Sequence, residues 1–138
     1  MTKIGMSTLV LGLAAFGIAV AANEKPTADF QNIMKSNQAA NGAVRKAVPA
    51  KDYEAVATNA ATLKGNFTKI EAFFAGKKMN DAVEIAKTGL KGATDLEAAA
   101  KAKDDAAMDT ASKALGGTCM GCHMAHRETL PDKTYEIK

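Results

Sequence analysis

Near the C-terminal end of the chain, Cys119-Met120-Gly121-Cys122-His123 sets two thiols three residues apart and an imidazole next to the second of them. Cysteines at this spacing share one side of a helix, so both sulfurs can add to the two vinyl groups of a single haem. The adjacent His123 then reaches the iron as an axial ligand, and covalent attachment fixes which side of the ring it occupies. Other chemistries suit the same residues less well. A redox Cys-x-x-Cys pair normally sits beside a βαβ pattern, and the sequence has none. Cys119, Cys122, His123 and His126 supply four potential zinc ligands, but structural zinc sites draw ligand pairs from two separated segments so that a tetrahedron can close. A plain disulfide is the remaining alternative, with no partner chemistry of its own.

The elements that must position this motif read as helical. After residue 22 no stretch alternates with period 2, whereas apolar residues recur every three or four positions. A first helix is expected from Thr27, with Phe30, Ile33, Met34, Asn37, Asn41 and Val44 on one stripe and Pro49 as its stop. A second starts near Asp52 and steps through Tyr53, Val56, Ala60, Leu63, Phe67, Ile70 and Phe74, the clearest periodicity in the chain. After a turn over residues 76–80, a third uses Val83, Ala86, Leu90, Ala93 and Leu96. A fourth carries Met108, Ala111, Leu115, Cys119 and Cys122 and must end before Pro131. Short connections between helices of similar length predict an all-α, antiparallel up-down-up-down four-helix bundle enclosing a covalently bound haem. The tail, 131–138, is expected to fray, and His126 to lie at the surface.

Composition agrees with that picture. The chain has 138 residues, 47% of them hydrophobic but only 5% aromatic, with no Trp. Alanine-rich faces pack thinly, and a large apolar cofactor supplies the missing core volume. The formal charge of +3, with scattered lysines, argues against nucleic-acid binding. Lys3 precedes an apolar run over 9–20, too short to span a bilayer comfortably, and Ala19-Val20-Ala21 has the small-x-small form of a signal-peptidase site. Residues 1–22 are therefore expected to be a cleaved export signal, and 23–138 a single periplasmic domain without stable membrane insertion; an uncleaved anchor is the alternative.

With these features together, the chain resembles the class II cytochromes c, the cytochrome c-prime family, whose haem motif lies near the C-terminus of a four-helix bundle. Gln31, Met34 and Lys35 match the first-helix pattern Arg-Gln-x-x-Met-Lys, and Arg127 matches the basic residue four positions after the haem histidine. The likeness spans roughly 27–127, with its middle carried by periodicity. It implies one haem c per chain, thioether-bound at Cys119 and Cys122, with Phe30 and Arg127 in the haem's vicinity. It also implies that Met34 is the second axial ligand, as in the low-spin branch. Depth agrees with that choice, since Met34 lies about 10 Å into the first helix and His123 about 9 Å from the end of the fourth. Met79, in a turn at the same end, is the rival. The implied function is one-electron transfer between periplasmic redox proteins, not enzymatic turnover. The alternative is a five-coordinate, cytochrome c-prime-like protein that binds small gases such as NO or CO. Phe30 stands where the family has Arg, which leaves Lys35, Lys46, Arg127 or solvent to meet the haem propionates. The resemblance also admits a homodimer through the first two helices.

Overall fold

The computed structural model describes residues 23–138; the expected export signal, 1–22, lies outside the described residues. Four long helices fill most of the described chain: α1 (Ala28–Ala50), α2 (Tyr53–Gly76), α3 (Asn80–Ala102) and α4 (Asp105–His126). They form a four-helix bundle, and two short strands, β1 (Arg127–Thr129) and β2 (Tyr135–Ile137), close the chain.

Each helix start is built by a local polar contact or a tight preceding turn. The hydroxyl of Thr27 accepts from the Phe30 amide at 3.3 Å, and the carboxylates of Asp52 and Asp104 accept from the Ala55 and Ala107 amides at 3.0 Å each. These contacts satisfy amide donors that a helix otherwise leaves free. The three interhelical turns share one device: a lysine in the left-handed region, Lys51, Lys78 or Lys103, at φ 54°, 58° and 55°. Around Lys51, its own amide donates to the Val48 carbonyl and that of Asp52 to Ala47, closing the last turn of α1; the same pair of bonds recurs around Lys78 and Lys103. Pro49 does not stop α1, which runs on to Ala50. A proline so near the C-terminal end costs a single intrahelical bond, and the left-handed Lys51 is what ends the helix.

The core follows the stripes. On α2, Val56, Ala60, Leu63, Phe67, Ile70 and Phe74 are all buried, with Tyr53 half-buried at the start. On α3, Ala86, Ala93 and Leu96 are buried as expected, joined by Ala82 and Gly89, while Val83 and Leu90 are only half-buried. Burying a Leu or Met side chain fully, as at Leu63, Leu96, Met108 and Leu115, contributes about 1.5–3 kcal/mol. The stripes put α2 against α1 and α3, and α3 against α4, in extensive contact; α1 and α4 meet only sparsely.

The tail does not fray. Arg127 pairs with Ile137, Glu128 with Glu136 and Thr129 with Tyr135 in an antiparallel hairpin, and Ile137 is buried. Its edge is extended by Glu24, which exchanges both backbone hydrogen bonds with Ile137 at 3.0 and 2.8 Å. The turn is held by Asp132, whose carboxylate accepts from both the amide and the hydroxyl of Thr134. A hairpin this short is marginal alone; burying Ile137 and tying it to the segment before α1 holds it.

A candidate cofactor site on the seam between α1 and α4

Helix α4 changes character along its length. Met108, Ala111 and Leu115 are buried, but from Gly116 to Ala125 no residue is fully covered. Cys119, Cys122 and His123 are half-buried there, and both cysteines are free thiols. Burial raises both thiol pKa values, that of Cys122 to about 11, while the charge of Arg45 on α1 opposes the rise at Cys119. Burial also lowers the His123 pKa, aided by the charge of Arg127. A neutral imidazole is the form that coordinates a metal.

Helical spacing shows which way these groups point. Asp105, Asp109 and Ser112 line a shallow groove with Arg45, Val48 and Lys51 of α1, and Lys51 pairs with Asp105 at 2.5 Å. Continuing the same stripe along α4 at steps of four, three and four leads to Gly116, Cys119 and His123. Cys122 lies instead on the core stripe with Leu115 and His126. On α1, the stripe that meets α4 through Arg45 and Val48 passes back through Asn41 to Met34, which is half-buried against the core.

The seam is loosely filled at this level. A Cβ placed on Gly116, half-buried and on the α1-facing stripe, would meet nothing within 4 Å, and the same holds for Gly42 of α1. One turn beyond Met34, Asn37 is buried with its Oδ1 lacking any hydrogen-bond partner among the described residues. Such an orphan costs about 1–3 kcal/mol. Two free thiols and a neutral imidazole, half-buried where two helices meet only sparsely, fit a flat, covalently held ligand such as haem.

The remaining expected site residues fall around this seam. Phe30 is buried in an aromatic cluster, stacked on Phe73 at 4.0 Å between centroids and edge-on to Phe74 at 5.6 Å. Arg127 is exposed, its guanidinium 4.4 Å from the centre of the Tyr135 ring. Met79 caps the start of α3 and packs, half-buried, against the core. Lys35 and Lys46 are exposed on α1.

His126 departs from expectation: it is only 8% exposed. Its ring lies 6.0 Å from that of Phe74, its Nδ1 is 3.4 Å from the Lys138 carbonyl, and its Nε2 is 3.3 Å from a carboxylate oxygen of Asp81 but not aligned for a hydrogen bond. The hairpin that folds back over α4 covers it, so its burial depends on contacts far away in sequence. Compared with models of protein families and with curated proteins, the chain matches none.

Proposed function

We propose that the chain is a periplasmic one-electron carrier of the class II cytochrome c type, with one haem c bound through Cys119 and Cys122 and ligated by His123 and Met34. The observation that carries the reading is the free, half-buried Cys119 and His123 on the α1-facing stripe of α4, with Cys122 beside them on the core stripe and Met34 half-buried on the α1 stripe that meets α4 only sparsely. In an up-down-up-down bundle the Lys51–Asp105 ion pair sets a common origin for α1 and α4. Met34 lies 17 residues back from Lys51 and His123 18 residues on from Asp105, about 26 and 27 Å along the two helices. Equal depth on facing stripes would let Met34 and His123 hold one group between the two helices. Met79, at the start of α3, is the rival thioether at the same end, since Met120 and Met124 lie on the His123 helix itself.

When bound, haem supplies an iron that changes by one electron, and thioether ligation raises its potential relative to two nitrogens. The chain's own residues do the rest. The cysteines anchor the group, the neutral His123 offers a ring nitrogen without first losing a proton, and the buried Phe30 and Phe74, with the half-buried Phe73, exclude water from that end of the bundle. Carriage rather than catalysis is the proposed role.

Intact mass of the protein recovered from an exporting host with a haem-attachment system tests the covalent step, and absence of added haem mass after denaturation sinks it. Optical spectra test the sixth position. A low-spin ferric spectrum with a weak sulfur-to-iron charge-transfer band, lost in Met34→Ala and kept in Met79→Ala, is expected. High-spin spectra with ready carbon monoxide binding in the wild type would instead make it a gas-binding protein.

A further inference from the structure

Charge is unevenly spread over the faces of the bundle. The sequence holds 15 acidic residues, yet none falls within residues 30–51 or 110–127, which make up nearly all of α1 and most of α4 with its cap. The same stretches carry six cations: Lys51 and Lys113 pair with Asp105 and Asp109 of the first turns of α4, while Lys35, Arg45, Lys46 and Arg127, all exposed, form no ion pair among the described residues. On α2 and α3 the signs are interleaved and lysines are neutralised locally, as in Lys64–Glu97, Lys91–Asp95 and Lys101–Glu97. Lys35 and Lys46 are eleven residues apart, three helical turns, and so project from one stripe of α1. On α4, Met120 and Met124 lie one turn apart and are 65% and 73% exposed, two of the three large hydrophobic residues exposed among those described.

We infer that this α1/α4 face docks an acidic protein, one that presents carboxylates around a small apolar centre. Complementary charge steers such an encounter and fixes its orientation, and flexible thioethers repack against a partner that must leave again. A bilayer fits the face less well, because interfacial binding needs a continuous apolar stripe with aromatic or branched anchors, not two methionines. Nucleic acid fits less well too, since four dispersed cations on a chain of net charge +3 make no phosphate-tracking groove. That the partner is a redox protein rests on the reading above; the docking face does not.

The test uses the full matured chain at low ionic strength, titrated with poly-L-glutamate and followed by amide NMR, with phosphatidylglycerol vesicles and a short DNA duplex as parallel probes. Polyglutamate is expected to shift amides around Lys35, Lys46, Met120 and Met124. The double variant Lys35→Glu/Lys46→Glu should weaken that binding by about tenfold, whereas Lys69→Glu/Lys78→Glu on the opposite side should change it by less than about twofold. Equal losses in the two double variants, or tighter binding to vesicles or duplex than to polyglutamate, overturn the proposal. The optical spectrum separates it from the carrier reading. A colourless chain that still binds polyglutamate on this face upholds the docking surface and sinks the carrier, and a coloured chain without this selectivity does the reverse.

Discussion

Two glycines of the same bundle meet opposite surroundings. At Gly89, where α3 crosses α2, an added Cβ would lie 2.2 Å from Cε1 of the buried Phe67 ring; at Gly116 on α4 it would meet nothing within 4 Å. At the first glycine the Phe67 ring occupies the space that a side chain would need. The second lies on a half-buried stripe that nothing fills. Helices α2 and α3 are thus in close contact, while α1 and α4, along the seam that holds Cys119 and His123, meet only sparsely. Close packing of α2 on α3 anchors a fold whose other side can stay open to a guest.

The most drastic way to break this contrast is to remove the two thiols that would hold the proposed haem. Cys119→Ala/Cys122→Ala is expected to abolish covalent haem retention, read as loss of the haem mass and of colour after acid-organic extraction, while helical circular dichroism persists because the α2/α3 half does not depend on the motif. Next in size is Gly89→Ala. Phe67 is hemmed in and its ring cannot swing away freely, so overpacking should destabilise by about 1–3 kcal/mol in spite of alanine's better helix propensity, measured by urea unfolding. A Gly89→Ala protein as stable as the wild type would mean that α2 and α3 are not so close.

What the sequence made legible divides along the same line. The α2 stripe from Val56 to Phe74 was readable because every member is apolar and each helical turn repeats the signal. Cys119, Cys122 and His123 stood out because their spacing is itself a chemical constraint. The turns were harder: the left-handed positions are held by Lys51, Lys78 and Lys103, and lysine gives no warning of a conformation that usually announces itself through glycine. The hairpin was missed because each strand is three residues long, too short for alternation to register. Its one local cue was the Asp132-Lys133-Thr134 turn. The burial of His126 was missed with it, since that histidine is covered only when Lys138 returns to it and Asp81 arrives from another helix. Residues whose roles are written in local spacing were visible; those defined by a distant cover were not.

Gly116→Ala sharpens the comparison in the opposite direction from Gly89→Ala. With open space at this position, the cofactor-free chain should gain about 0.5–1 kcal/mol from helix propensity alone, seen as a higher urea midpoint. The same methyl intrudes on the seam, so the yield of haem-loaded protein should fall under equal expression. A loss of stability in the cofactor-free chain would show that α1 already closes on α4 there.

The smallest effect belongs to the electrostatic stitching of the tight half. Glu97 of α3 accepts from Lys101 one turn on and from Lys64 of α2, at 2.6 and 2.5 Å, and these bonds lower its pKa from 4.5 to about 2. A carboxylate whose folded pKa is depressed contributes stability that is fully present above its unfolded value and is lost as pH falls toward the folded one. The contribution of Glu97 should therefore be complete at pH 7 and disappear between about pH 4.5 and pH 2. Glu97→Gln is expected to unfold at slightly lower urea than the wild type at neutral pH, with the two curves converging near pH 2, and added salt should narrow the gap because the group is near solvent. A gap that persists unchanged at pH 2 would assign the effect of Glu97 to its packing between α2 and α3, not to its charge.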